Sequence, residues 1–443
     1  MPAETVIAVL SSHRHPRLRY VLKELGAQLG YRFRLMTDVT KWEEIKTGAK
    51  VTLISYAGSK QAVHWPTHSF LSGRSPTSAD LEVTWPKDKS PLFFSTPVIG
   101  AFSHDYLAMI FFSLSRYEEY GDVTSDQHGR FPASASHAFQ HAYLHLPVVN
   151  LWTRELGASI RETFSELPNP VLPAFEFIPT YDIDLLWAWQ HRGLRGIGAG
   201  GRDLIQGHFL RAWQRFVTPR HQDPYQTLDF LEELHLANNG LSPIYFWLLA
   251  DSTDPRDPNP YPSPQEQREW IQRLVARYTV GIHPSYRSSN QPELFRIEAE
   301  RLAEITGAAV RHSRQHFLRF RMPETFRQLR LAGITHDYSM GYADAVGWRA
   351  GTNFAFSWYD LELEEATSLM IHPFAAMDVT LKNYLHLDPV EAKQAVLALS
   401  RNLQPFGGPF MLLWHNTSFA EIYGWRGWRK MYADLVREFG IRE

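Results

Sequence analysis

Cysteine is absent from the 443 residues of this chain. That excludes disulfides, thiolate metal ligands and a cysteine nucleophile, so any metal has to be held by histidines and carboxylates. Charge of one sign is also lacking: the formal net charge is −2, which gives no reason to expect a nucleic-acid or anionic-membrane partner. No run approaches the ~20 apolar residues that a membrane-crossing helix needs. The opening stretch, MPAETVIAVLSSHRH, has no basic start and an apolar run of only five residues. It does not read as a signal peptide, and the expected location is cytoplasmic. Internal repeats and low-complexity segments are missing too.

What is present is ordinary in bulk and unusual in detail. Hydrophobic residues make up 44% and charged residues 21%, as in soluble globular proteins. Aromatics reach 14%, and the 20 histidines are many for this length. Such a length exceeds one ordinary core, so two domains are expected. In the first, 5–11 reads as a buried strand, 17–29 as a helix, and 32–37 and 51–57 as further strands. A Pro/Ser/Thr-rich loop over 60–90 precedes apolar helices over 104–119 and 148–166. Between those helices, Asp126-Gln-His-Gly-Arg-Phe131 reads as a packed turn. The proline-rich run 167–173 reads as a linker, with domains over 1–170 and 171–443.

Beyond the linker, strand and helix patterns alternate. Strands are expected at 175–180, 242–250, 279–283, 309–320, 334–339 and 409–416, with helices over 225–238, 264–278, 292–306 and 323–333 between them. Residues 186–222 form a long, basic, glycine-containing excursion, and 251–264 a solvated Pro/Asp loop. Alternation of this kind implies parallel strands covered by helices, in a barrel or an open sheet. In a barrel, reactive groups gather at the C-terminal strand ends. Asp182, Asp184, His283, Asp337 and His415 all fall at or just past expected strand ends. Asp182 and Asp184 are two apart and so share one face of a strand. Two carboxylates that close call for a cation or a proton. Two imidazoles and a carboxylate would make an open, zinc-type site with a position left for water.

Taken together, Thr180-Tyr-Asp-Ile-Asp184, Gly281-Ile-His-Pro-Ser285, Arg314-Gln-His-Phe-Leu-Arg-Phe320, Gly333-Ile-Thr-His-Asp-Tyr-Ser339 and Leu412-Leu-Trp-His-Asn416 resemble a known set. Their order is similar to the motifs of the polysaccharide deacetylases with a NodB homology domain, carbohydrate esterase family four. The likeness covers 171–420 and looks nearest to a bacterial branch with an extra N-terminal domain. It implies an α/β fold, a distorted (β/α) barrel preceded by a smaller α/β domain. It also implies removal of acetyl groups, N-acetyl above all, from a sugar or glycan precursor by a divalent metal, zinc foremost. Asp182 matches the general base, Arg314 the arginine that holds it, and His415 the general acid. Asp337 matches the carboxylate orienting His415. Asp184 and His283 match metal ligands, although Ile183 separates two carboxylates that are usually adjacent. Arg287 stands where the family has its second metal histidine and cannot ligate, because it stays protonated. His316 is the candidate third ligand, with Ser288 or a water as fallback.

The glycine-rich stretch Gly341–Phe354 reads as a substrate loop. Tyr342, Trp348 and Arg349 are its candidate sugar contacts, together with Trp414 beside the acid histidine. Asp378 reads as a helix cap. Two other readings stay open: a carbohydrate-binding protein on a degenerate barrel, and another metal-dependent amidohydrolase.

Overall fold

The computed structural model describes every residue except 1–4, 13, 45–49, 54–61, 87–89, 122–123, 192, 239–240, 252–253 and 441–443. Strands β1 (Thr5–Leu10), β2 (Tyr31–Met36), β3 (Lys50–Leu53) and β4 (Val63–Trp65) form a parallel sheet in the order β2-β1-β3-β4. The strand expected over 51–57 is seen as β3, and the rest of it lies outside the described residues. Helix Pro16–Leu29 covers this sheet. Proline opens it without losing a needed N–H, and Gly30, at φ 68°, closes it in the left-handed region. A two-stranded antiparallel ribbon follows, β5 (Ser95–Ile99) with β6 (Phe102–His104). Helix Tyr106–Ser115 is shorter than the periodicity suggested and is buried along its whole length. Helix Val148–Thr163 completes this part.

The second sheet has nine strands: β7 (Phe175–Ile183), β8 (Ile244–Leu248), β9 (Thr279–His283), β10 (His312–Ser313), β11 (His336–Met340), β12 (Phe356–Asp360), β13 (Glu365–Pro373), β14 (Ala376–Met377) and β15 (Gly408–His415). Their order is β12-β13-β11-β10-β9-β8-β7-β15-β14, parallel throughout except for β12 on β13. β13 and β14 are separated by two residues and pair with opposite ends of this order. Phe374 N–H donates to Met340 O (3.2 Å) and Ala375 N–H to Met411 O (2.9 Å). These bonds join β11 to β15 and close the sheet into a distorted α/β barrel.

Alternation along the strands sorts the side chains. In β7, Phe177, Tyr181 and Ile183 point out to the helices, while Ile178 and Asp182 point in. In β15, Phe410, Leu412 and Trp414 point out, while Met411, Leu413 and His415 point in. The barrel interior is a small apolar cluster that includes Phe246, Tyr338, Phe374 and Leu413. The outer core is one continuous cluster from Ile7 to Val436, so the two sheets share it across the linker.

Two stretches differ from expectation. The strand expected over 309–320 is only His312–Ser313, because Phe317 (φ 60°) and Leu318 (φ 53°) turn the chain sharply. The ribbon formed by β12 and β13 was not anticipated, and it leads into the residues that close the barrel.

Candidate metal centre and its surroundings

The side chains of Asp182, Asp184, His283, His316 and His415 open into one cavity of about 330 Å³ at the C-terminal end of the barrel. Strand register brings them there. His415 lies opposite Asp182 across the β15–β7 pair, and His283 ends β9 beside Leu248 of β8. Asp184 stands just past the end of β7, where the chain leaves the sheet.

Asp184, His283 and His316 each offer a ligand atom, and these atoms all lie within 4.8 Å of one another. His283 Nδ1–H donates to the carbonyl of Arg314 at 2.6 Å, which leaves the Nε2 lone pair facing inward. Nε2 is 3.3 Å from Asp184 Oδ1 and 3.6 Å from Asp182 Oδ2. Neither Nε2 nor Asp184 Oδ1 has a hydrogen-bond partner among the described residues, although both are buried. A lone pair aimed at two carboxylates is unfavourable unless a proton or a cation lies between them. His316 approaches from the sharp turn, its Nε2 3.7 Å from Asp184 Oδ2. Its Nδ1–H donates to Asp257 Oδ1 at 2.9 Å, which again frees Nε2 for a ligand. Two imidazoles and one carboxylate with inward lone pairs are a donor set that suits a divalent ion such as zinc.

The charges around these groups are tightly balanced. Burial pushes the Asp184 carboxyl up, but His316 and His283 outweigh it and hold the group well below the usual carboxylate range. Burial likewise disfavours the charged form of His316, and Asp184 and Asp257 overcome it, raising its pKa to about 9. Asp182 Oδ1 accepts from Arg314 Nη1 at 3.0 Å, a pair almost entirely shielded from solvent. Arg314 Nε donates to Tyr338 O at 2.9 Å, and its guanidinium lies 4.5 Å from the centre of the Phe246 ring. His415 is held by Asp378, whose Oδ1 is 2.8 Å from His415 Nδ1 and whose Oδ2 accepts the His415 backbone N–H at 2.8 Å. Ser418 Oγ also donates to Asp378. Burial favours neutral imidazole, but Asp378, then Asp184 and Asp182, raise the His415 pKa to about 10.

Six sequence-predicted residues therefore meet around this cavity: Asp182, Asp184, His283, Arg314, His316 and His415. Asp337 does not. It is the second residue of β11, on the face opposite the inward Tyr338, and accepts from Ser313 Oγ (2.8 Å) and from Ser339 N–H (2.9 Å) and Oγ (3.1 Å). Burial, opposed by those bonds, leaves its pKa near 6. Asp378, read from sequence as a helix cap, is the carboxylate that touches His415. Ser288 Oγ donates to Ser285 O at 2.6 Å and is turned into its own bend, and Arg287 donates to Gln291 at 3.1 Å.

The four expected sugar contacts are also elsewhere. Trp414 neighbours His415 in a strand, so it must face the other way, and it packs on Tyr432 at 4.8 Å. Trp348 is 1% exposed and packs in the outer core. Arg349 bonds Glu119 with Nε and Nη2 (2.9 and 2.5 Å), and Glu119 in turn bonds Arg116 (2.7 Å). Tyr342 OH accepts from Arg116 at 3.0 Å. All four are buried structural residues. The cavity wall is instead made by Phe317, Asn383, Tyr384, Thr417 and Trp425, with Arg130 reaching in from the N-terminal part. Arg130 Nη1 donates to Phe317 O and Nη2 to Tyr384 OH, each at 3.0 Å, so the Asp126–Phe131 turn helps to shape the cavity.

Residues 7–165 match the model of a family of unknown function, DUF7033. No curated protein matches. Among solved structures, the chain is similar to a protein described as a polysaccharide deacetylase from Mycobacterium smegmatis. They are 12% identical over 62% of this chain and 87% of the other, with a TM-score of 0.40. A second, described in the same terms, is from Pseudomonas aeruginosa: 13% identity, 61% of this chain, 88% of the other, TM-score 0.34. A third is a CE4 family pseudoenzyme from Bacillus anthracis: 13% identity, 61% and 64% coverage, TM-score 0.31.

Proposed function

We propose that this protein is a metal-dependent hydrolase that removes acetyl groups, N-acetyl foremost, from a sugar or glycan precursor. One observation carries the reading. Two buried atoms without hydrogen-bond partners among the described residues, Asp184 Oδ1 and His283 Nε2, lie 3.3 Å apart and face His316 Nε2. They are flanked by an arginine-held carboxylate on one side and a carboxylate-held imidazole on the other.

Asp184, His283 and His316 would hold the ion. When bound, a divalent cation supplies Lewis acidity toward an acyl oxygen and toward water. Asp182, fixed by Arg314 through one oxygen, keeps the other turned to the site and accepts the proton of the attacking water. His415, kept protonated by Asp378, stands across the site and donates a proton to the departing nitrogen. Phe317, Tyr384 and Trp425 offer apolar faces to a sugar ring, and Asn383 and Arg130 offer donors to its hydroxyls and carbonyl. Each acid or base contributes about 10²–10⁴ in rate.

The test is release of acetate from N-acetylated amino sugars by zinc-loaded protein, alongside metal analysis. Near-stoichiometric zinc, lost in His283→Ala, with acetate release abolished in Asp182→Asn, is the expected result. Zinc binding without acetate release from any N- or O-acetylated sugar would sink the assignment.

A further inference from the structure

The excursion between β7 and β8 carries a surface that neither the barrel nor the cavity uses. Its helices, Gly193–Ile205 and Phe209–Val217, pack as a hairpin, with Gly200 letting the Phe216 ring come close. Buried Asp223 pins its feet, accepting the N–H groups of Ala188 (2.7 Å), Trp189 (2.9 Å) and Gln190 (3.3 Å). Phe209, Leu210, Trp213, Phe216 and Val217 follow helical spacing along one face of the second helix. They are exposed by 66, 79, 67, 65 and 48%, and Ile205, at the end of the first helix, by 90%. The other face turns inward: Ala212 is 3% exposed, and Arg215 donates to Asp203 (2.5 Å) and to the Tyr423 hydroxyl (2.9 Å). An exposed apolar stripe of this size marks a docking surface.

Charge decides what docks there. From Gln190 to Gln222 the sequence carries six arginines and a single acidic residue, Asp203, which is already engaged by Arg215. The net charge of −2 for the whole chain conceals this local excess. A second copy would bring two like-charged segments together. An anionic lipid surface complements both the segment's excess of positive charge and the apolar stripe, the pairing that defines interfacial amphipathic helices. We propose that the hairpin formed by 193–217 seats this protein on the surface of an anionic bilayer, with its aromatic and leucine side chains in the headgroup–acyl boundary. It lies on the membrane and does not cross it: among the described residues, no helix is long and apolar enough to span one. Tyr423, which Arg215 touches, belongs to the same loop as Thr417 and Trp425 of the cavity wall. The proposal does not depend on the reaction read for that cavity.

The experiment is sedimentation of the full chain with phosphatidylcholine vesicles and with vesicles containing about one-third phosphatidylglycerol. We expect binding at least about tenfold tighter to the anionic vesicles, weakening as salt is raised. Trp213→Ser combined with Phe216→Ser should lower it by about tenfold or more. Arg202→Glu should lower it by about fivefold. Both changes are on exposed side chains, so the far-ultraviolet dichroism and melting temperature of the variants should match the parent. The proposal is overturned if the parent binds neither vesicle, or binds both equally. It is equally overturned if ultracentrifugation finds a parent dimer that the double substitution dissolves, since the occupant would then be a second copy.

Discussion

Asp257 offers the sharpest test of the metal centre, because it never touches the ion position and acts only through His316. Its Oδ1 accepts two bonds, from His316 Nδ1 and from the Tyr286 backbone N–H, each 2.9 Å long, and its side chain is 2% exposed. Asp257→Ala removes the partner that fixes which imidazole nitrogen carries hydrogen. A hydrogen bond to a charged group is worth about 1.5–3 kcal/mol, and 1.4 kcal/mol is a factor of ten in affinity. Loss of such an outer partner weakens metal binding about 10–100-fold. Asp257→Asn keeps an acceptor oxygen for both donors and loses only the charge, so about a tenfold loss or less is expected. The assay is calorimetric titration of zinc into chelator-stripped protein near neutral pH, with circular dichroism to check the fold. Arg296→Ala serves as the control and should leave zinc affinity unchanged, because its exposed side chain pairs with Glu300 one turn along its own helix. A folded Asp257→Ala protein with the parent's zinc affinity would refute the geometry argued for His316.

Three further outcomes follow from the same geometry. Asp378→Asn should lower acetate release by about 10²–10⁴. Asp378 is the main influence overcoming the burial of His415, so the alkaline limb of the kcat/KM profile should also move to lower pH; an unmoved limb would count against His415 as the acid. Arg314→Met strands the Asp182 charge in the barrel and should cost about 3–5 kcal/mol in urea unfolding; a loss under about 1 kcal/mol would contradict the buried pair. Near the starts of β10 and β11, His336 Nδ1 is 2.9 Å from His372 Nε2, and His312 stacks on His336 at 4.8 Å. Burial lowers the pKa of all three, that of His312 to about 4 and of His372 to about 3. The folded protein keeps them neutral, while the unfolded chain takes up protons below about 6.5. Their share of stability is therefore complete above that pH and drains away as pH falls toward 4. His372→Phe should flatten the loss of stability between about pH 7 and 5 by up to ~1.4 kcal/mol per pH unit, and a slope equal to the parent's would refute the coupling.

Much of the barrel could be read in the sequence, because period-2 and period-3.6 patterns report directly on which face is buried. The strands that became Phe175–Ile183 and Gly408–His415 are legible for that reason. The closing segment was not: Phe374 and Ala375 act through backbone bonds to Met340 and Met411, which have no side-chain signature. Motif order names six residues that the fold brings around one cavity. Asp257 was hidden in a loop whose proline and aspartate content reads as solvated, yet the loop folds inward to meet His316. Asp337 and Asp378 were exchanged because a cap and an orienting carboxylate look alike until the fold shows what each faces. Trp414, next to an inward histidine in a strand, has to point outward, and alternation alone carries that information.

The ion cluster of Arg116, Glu119 and Arg349 has a consequence for how this chain can be handled. Its members come from both sides of the proline-rich linker, and Glu119 is 4% exposed between its two arginines. Cutting at the linker would leave that carboxylate facing water on one fragment and Arg349 unmatched on the other. The halves are thus poor candidates for transplantation as modules. Calorimetry of the intact chain should give a single endotherm, and residues 171–443 expressed alone should be recovered mainly as aggregate.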